Sequence, residues 1–426
     1  MELELHYVNK IKEAKIKLNG LTVIAGANSS GKSTVGRTLF TVVKAIANTK
    51  RVDNNMNKVL LQKHIDSFYS RLESFNVWED LPSKTEFSAQ LNYTENKKEY
   101  ILGIKNRLSF FKKIVPRERK LLEDDLNKLE DYIDQMYNSE VYLKNEMQYL
   151  IESEFSNSFS SAKNEYESTV IKLKSEGRFS VSFLIDDVYI RNVSSQDEAF
   201  FYYFDDTTYI ESPLYIHLSD VILNAQTWRE IEGRPSSFDK PMVPSHIKDM
   251  VEKIIWAARY ADHKATSSSI NLNDITGGQL TYDPTANQLV YKEGSQTFKT
   301  INVASGIKSL SIIQLLEDAK IIGPNSILIW DEPENHLHPE WQIVFAEKLV
   351  ELAKNGVPIL VTTHSPYFLQ AIRTYSTREE MEDFVNFYTP VEGDDHLETI
   401  VDVTDDLTPV FATLAEPMNK IMDING

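Results

Sequence analysis

Apolar residues along this 426-residue chain change their spacing in blocks, and each block predicts an element. From Glu2 to Ile24 short apolar stretches alternate with polar ones, and Asn19-Gly20 predicts strands joined there by a tight hairpin. Leu21-Thr22-Val23-Ile24-Ala25 has the β-branched content of a buried strand. Val35, Leu39, Val42, Val43 and Ile46 then fall at helical spacing within Thr34–Ala47, and 54–75 reads as a second helical stretch. Segments 85–94 and 98–104 alternate like an antiparallel strand pair.

From about 106 to 175 the pattern turns helical, rich in Glu and Lys and poor in glycine. Leu122, Leu126, Leu129, Ile133 and Met136 fall at spacings of four and three. Leu143, Met147 and Leu150 continue that register across an interruption at Glu140, giving a coiled-coil-like seam. As one straight helix, 122–150 would be roughly 40 Å long; Asn138-Ser139 offers a place to turn back. Strand chemistry returns over 179–211, most clearly from Val181 to Val193. Ser212-Pro213 breaks into a helical piece at Leu214–Ala225, 226–243 reads as a loop, and Ser245–His263 as an amphipathic helix capped by Ser245. Short strands follow at 278–283, 287–292 and 296–301. The remainder alternates: helix 305–319, strand 326–331, helix 338–355, strand 358–363, helix 365–376. That order predicts an α/β fold with a parallel sheet and flanking helices. No tandem repeat is visible.

Composition narrows the function classes. No run approaches the roughly 18 apolar residues needed to span a membrane, and Met1-Glu2-Leu3-Glu4 is no signal peptide. The absence of cysteine excludes disulfides, thiolate metal sites and cysteine nucleophiles, and fits a cytoplasmic protein. A net charge of −18 argues against coating nucleic acid by bulk attraction. One basic stretch stands out against it: Lys105, Arg107, Lys112, Lys113, Arg117, Arg119 and Lys120. It reads either as a solvated helix face or as a DNA contact.

The chemistry is concentrated in four segments. Gly26-Ala27-Asn28-Ser29-Ser30-Gly31-Lys32-Ser33 is a complete phosphate-binding loop, followed by Thr34, and it lies between a predicted strand and a predicted helix. Its glycines permit close backbone approach, and its N–H groups face phosphate oxygens at a helix N-terminus. Lys32 would reach the β- and γ-phosphates of ATP and Ser33 would ligate Mg2+. The apolar strand Ser326–Trp330 ends in Asp331-Glu332, where Asp331 can hold the Mg2+ shell and Glu332 can face the attacking water. A strand ending in a polar turn is the plainer alternative. A third buried strand ends in Thr362-Thr363-His364, where His364 can touch the γ-phosphate or cap the helix that starts near Ser365. Ser305-Gly306-Ile307-Lys308 precedes a helix, with Ser305 either an ordinary N-cap or a phosphate-binding helix start. His336 and His338 lack a third obvious ligand for zinc.

Taken in order, Gly-Ala-Asn-Ser-Ser-Gly-Lys-Ser, Ser-Gly-Ile-Lys-Ser, Ile-Leu-Ile-Trp-Asp-Glu-Pro-Glu-Asn-His-Leu-His-Pro and Thr-Thr-His-Ser-Pro resemble the ABC-type ATPases. More narrowly they resemble AAA-family ATPases related to the OLD (overcoming lysogenization defect) proteins and to SMC proteins. The likeness covers roughly 1–105 and 210–400. It implies a P-loop ABC-type ATPase head with a mixed, mainly parallel sheet, an antiparallel N-terminal sheet and an inserted helical arm. The corresponding division is 1–105 for the first half of the head, 106–210 for the arm with returning strands, and 211–426 for the second half. The resemblance also implies dimerisation around two ATP molecules. Lys32 and Ser33 carry over as phosphate and magnesium ligands, Asp331 as the second magnesium residue, Glu332 as general base and His364 as the switch histidine. Ser305-Gly306 becomes the signature that contacts the partner subunit's γ-phosphate, with Lys308 beside it, and Glu334–His338 the loop crossing the interface. Ile307 replaces the usual second signature glycine, Lys308 stands where Gln or Glu is common, and only Gln90 and Glu211 offer themselves as the lid-loop residue.

OLD proteins often carry a C-terminal toprim nuclease. Residues 365–426, despite Asp394, Asp395, Asp402, Asp405 and Asp406, are too few for its separate sheet, so the expectation is a stand-alone ATPase. Such ATPases in the Septu and PARIS bacterial defence systems act beside a separate nuclease or toxin. The leading expectation is therefore a cytoplasmic ATPase, a homodimer or higher oligomer, that controls a partner effector in anti-phage defence. The alternative is an SMC-like repair or chromosome-maintenance ATPase acting on DNA. A transporter subunit and a non-hydrolysing ATP binder fit less well, the latter because Glu332 is present.

Overall fold

A computed structural model describes residues 1–52, 56–75, 81–93, 97–110, 115–137, 139–156, 158–161, 168–175, 178–196, 205–223, 243–261, 270–335 and 337–424. The loop expected at 226–243 lies almost wholly outside them, as do Asn138, Lys112, Lys113 and His336. The chain divides into two units: Met1–Ala47 with Met147–Gly426, and Asn48–Glu146.

The first unit is built on an eleven-stranded mixed sheet. Its strands are β1 (Glu2–Val8), β2 (Ile11–Lys17), β3 (Leu21–Ala25), β4 (Thr169–Ser175), β5 (Phe179–Asp186), β6 (Tyr189–Gln196), β7 (Asp206–Ile210), β11 (Ser326–Asp331), β12 (Ile359–Thr363), β13 (Val385–Glu392) and β14 (Glu398–Asp402). Their order is β6-β5-β4-β1-β2-β14-β13-β3-β12-β11-β7. The block β13-β3-β12-β11-β7 is parallel, and β3, β7, β11 and β12 are buried at every position. That explains their unbroken apolar runs, since parallel strands are covered on both faces. The antiparallel block β6-β5-β4-β1-β2 instead alternates buried and exposed positions, as in β5. A separate antiparallel sheet holds β8 (Gln279–Asp283), β9 (Gln288–Glu293) and β10 (Gln296–Lys299). Helices flank the main sheet; in the core they help form, Trp330 stacks edge-on against Phe345 at 4.9 Å.

Several expectations change here. The two-residue hairpin joins β1 to β2 at Asn9-Lys10, where Asn9 takes φ +52°. Asn19-Gly20 does not close a hairpin, because β14 and β13 intervene between β2 and β3. The stretch 169–175, expected to be helical, is β4 and pairs with β1. Ser245 does not cap its helix; Pro244 holds that position, and the Ser245 hydroxyl donates to Ser153 Oγ at 2.7 Å. The acidic tail belongs to the head: β13 and β14 enter the sheet, and Asp395 pairs with Lys12 at 2.7 Å. Among the described residues no helix is long and apolar enough to cross a membrane.

The second unit is helical, and its limits differ from the 106–210 arm expected from sequence. Segments 85–94 and 98–104 are helices, Lys84–Tyr93 and Lys97–Phe110, not strands. Phe87 and Leu91, like Ile101, Ile104 and Leu108, point into one core at helical spacing. The seam residues Leu122, Leu126, Leu129 and Ile133 are buried in that same core with Leu61, Ile65, Phe68 and Leu72. This half of the seam thus packs within a multi-helix unit, whereas Leu143, Met147 and Leu150 lie on the next helix, Ser139–Phe155, and are not part of that core.

Candidate nucleotide site

Three parallel neighbours, β3, β12 and β11, end side by side, with Ala25 level with Thr363 and Asp331 level with Thr362. The loops leaving these ends bring together the segments singled out in the sequence. Residues 26–31 form a loop that enters the helix Lys32–Val52. Gly31 takes φ +83°, a conformation that disfavours any side chain, and a Cβ there would press on the Ile11 Cδ1 methyl. A Cβ at Gly26 would stand 2.9 Å from Pro390.

A cavity of about 420 Å³ opens over this loop, lined by Asn28, Ser29, Ser30, Gly31, Lys32, Ser33, Thr34, Glu332, Asn9 and Lys10. Four of these residues, Asn9, Ser29, Gly31 and Glu332, hold positive φ. Left-handed backbone at non-glycine residues costs energy and gathers where a site needs it. Lys32 is almost fully buried; its Nζ donates to the Ala27 carbonyl at 2.7 Å and the Gly26 carbonyl at 3.1 Å, and lies 3.6 Å from Glu332 Oε1. Ser30 Oγ closes the loop onto the Ala27 carbonyl at 2.7 Å.

Asp331 is buried, and one of its carboxylate oxygens accepts from the Thr362 hydroxyl. Burial, and then the nearby Asp331 carboxylate, hold the Tyr209 phenol well above its ordinary range. The Glu332 N–H donates to the Thr362 carbonyl at 3.1 Å, and its Oε2 accepts from Asn335 Nδ2 at 3.0 Å. His364 Nδ1 stands 3.3 Å from Glu332 Oε1. Ser365, not His364, caps the following helix, accepting from the Phe368 N–H. Lys32 and His364 therefore both meet Glu332, and Asp331 ends the strand just before it; Asp331 and His364 are not among the residues lining the cavity.

The other predicted residues are arranged differently. Ser305, Gly306 and Lys308 are not among the residues lining the cavity. The N-cap of their helix is Ala304, so Ser305 does not cap it. Lys308 is buried, its Nζ 2.6 Å from His217 Nε2, and burial lowers its pKa; it does not present its charge beside Ser305. Glu334, expected in an interface loop, turns inward. Of the two lid-loop candidates, Gln90 is exposed in the helical unit, whereas Glu211 follows β7, the strand beside β11.

Sequence reasoning missed two contributors. Asn9 and Lys10 reach the cavity from the β1–β2 hairpin, with Lys10 Nζ donating to the Ser29 carbonyl at 2.8 Å. A polar pair between two alternating strands was the available signal. A charged chain also runs from Arg37, one turn into the loop's helix, through Glu211 at 2.9 Å and His246 at 3.1 Å to Glu154 at 2.5 Å. Hydrogen bonding from His246 and the charge of Arg37 pull the Glu211 carboxyl down to about 2. Burial disfavours a charged His246, but the Glu154 and Glu211 carboxylates outweigh it and raise its pKa.

A parallel sheet carrying a phosphate-binding loop, with acidic and histidine residues on adjacent strand ends, defines a P-loop ATPase head. The AAA ATPase domain family model matches residues 9–369, and the chain belongs to that family and is an ATPase. Over 380 residues it is 25% identical to the retron Vc95 probable ATPase of Vibrio cholerae serotype O1 biovar El Tor, covering 82% of this chain and 67% of that protein. It is 32% identical over 98 residues to the OLD nuclease of Thermus scotoductus, covering 22% of this chain and 19% of that one. It is 30% identical over 126 residues to protein ea59 of Escherichia phage lambda, covering 29% of this chain and 21% of that protein. Among solved structures, it is similar to the SMC head domain from Thermotoga maritima, with a TM-score of 0.38 and 11% identity over 94% of this chain and 98% of that one. An SmcHead bound to the C-winged helix domain of ScpA gives 0.40 and 12%, over 96% and 98%.

Proposed function

We propose that this ATPase binds ATP over residues 26–34, hydrolyses it with Glu332 as general base, and pairs with a second copy through Ser305-Gly306 to control a partner effector. The observation that carries the catalytic part is that Lys32 and Glu332 both line the loop cavity 3.6 Å apart, with His364 Nδ1 3.3 Å from Glu332 and Asp331 beside Glu332 at the end of β11. In this reading the Lys32 ammonium exchanges its contacts with the Gly26 and Ala27 carbonyls for γ-phosphate oxygens. Glu332, held by Asn335 and beside His364, accepts the proton of the attacking water. The loop N–H groups and Lys32 hold the charge that develops on the γ-phosphoryl oxygens.

The oxygens of Ser33 and Asp331 form the hard donor set that suits magnesium, and these two residues would hold it. When bound, the ion would neutralise negative charge on the nucleotide's phosphates. Lys308 plays no direct part in this scheme, because its ammonium is buried against His217.

The effector reading is supported by the likeness to a retron ATPase over most of the chain and by the resemblance to stand-alone ATPases that act beside a nuclease or toxin. Glu332→Gln tests both halves. Turnover should fall about 10²–10⁴-fold while ATP binding persists. The variant should also accumulate as a dimer or larger assembly in ATP, seen by light scattering, and co-purify with products of neighbouring genes. Wild-type turnover would remove Glu332 from its role, and a strictly monomeric ATP-bound variant would remove the pairing.

A further inference from the structure

Glu334 is the one acidic residue at these strand ends with no assigned part in the chemistry, and it is almost completely buried. It lies two residues after Glu332, in the turn that leaves β11. Its Oε1 accepts from the Thr363 hydroxyl at 2.6 Å and from the His364 N–H at 2.7 Å, and lies 3.4 Å from His364 Nδ1. Its Oε2 is buried with no hydrogen-bond partner, an expensive arrangement to keep. Burial raises its pKa. An apolar residue in its place would leave the Thr363 hydroxyl and the His364 N–H without their shared acceptor.

What Glu334 holds is telling. Thr363 ends β12, and its carbonyl accepts the Gly26 N–H, the first of the phosphate loop, at 3.2 Å. His364 is the next residue, its ring between the Oε1 atoms of Glu332 and Glu334. One carboxyl oxygen therefore fixes the backbone of the switch histidine, the last side chain of β12 and, through Thr363, the start of the loop. We infer that Glu334 is a positioning residue: by gripping the Thr363 hydroxyl and the His364 N–H together, it aims the His364 ring at Glu332, which lines the cavity. It links the turn after β11 to His364. The inference rests on the reading of His364 as a residue of the reaction.

The test compares Glu334→Ala and Glu334→Gln in the wild-type and His364→Ala backgrounds, measuring kcat, KM for ATP and thermal unfolding. Glu334→Ala should lower kcat about 10²-fold, the scale of a misplaced group, with KM little changed. Glu334→Gln keeps an acceptor oxygen for both donors and should recover most of the turnover. Because Glu334 acts through His364, its removal should cost little further once His364→Ala has been made. An equal kcat loss in both backgrounds would mark Glu334 as merely structural and overturn the inference. Unchanged kcat in Glu334→Ala would overturn it as well. If Glu334→Ala does not fold, Thr363→Val, which deletes the gripped hydroxyl at constant shape, takes its place with the same expectation in smaller measure. Should His364→Ala itself leave turnover intact, the failure belongs to the site reading and not to Glu334.

Discussion

At the ends of β3, β11 and β12, buried positions are occupied by Lys32, Asp331, Glu334, Thr362 and Thr363, each held by hydrogen bonds, next to Ser29, Gly31 and Glu332 at positive φ. In the helical unit Asn48–Glu146 the clustered buried positions are Leu, Ile, Phe and Tyr. One region spends stability on polar burial and strained backbone; the other accumulates it through apolar packing. Substitutions should therefore separate the two: changes in the first region cost turnover, and changes in the second cost folding.

The largest effect is expected in the helical core. Phe68 is fully buried against Phe87 at 5.9 Å and Tyr69 at 5.4 Å, so Phe68→Ala should cost about 3–5 kcal/mol of unfolding free energy in denaturant melts. Turnover per folded molecule should stay near wild type, and a loss of turnover as large as that from a loop substitution would break the comparison. Lys32→Ala should show the reverse. Losing the cation at the loop should lower turnover about 10²–10³-fold and weaken ATP binding, with little change in thermal midpoint. Gly31→Ala comes next. Its left-handed backbone costs roughly 1–2 kcal/mol with a Cβ, and the new methyl collides with Ile11. ATP affinity should fall about tenfold, the equivalent of 1.4 kcal/mol. Ile11→Val removes the colliding Cδ1 and should restore part of that loss; no recovery would mean that backbone strain alone is responsible.

The same contrast explains what was legible in the sequence. Asp331-Glu332, Thr362-Thr363-His364 and the loop 26–33 are contiguous words whose chemistry depends on neighbours along the chain, and their strands were bounded almost to the residue. Pairing between distant strands is not written that way. Nothing near 385–402 indicates that β13 and β14 enter the sheet between β2 and β3, so the Asn19-Gly20 turn looked like a hairpin. Segments 85–94 and 98–104 fit both periods because each is short, and only the shared core of Phe87, Leu91, Ile101, Ile104 and Leu108 selects the helix. Glu334 read as part of an interface-crossing loop because its partners, Thr363 and His364, lie about thirty positions away.

The smallest effect tests whether the helical unit carries chemistry of its own. Of the basic stretch between 105 and 120, Lys105 is paired with Glu130, while Arg107, Arg117 and Lys120 are exposed. Replacing those three with Ala should change stability by no more than about 0.5 kcal/mol each and leave turnover unaltered, since solvated charges contribute little to folding. On a chain of net charge −18, duplex DNA affinity should also be unmoved. The measurement that sharpens this is the slope of log affinity against log salt. A fall of about 0.9 for each residue removed would mean that these side chains neutralise phosphates. The helical unit would then be a nucleic-acid surface, and the SMC-like alternative would displace the effector reading.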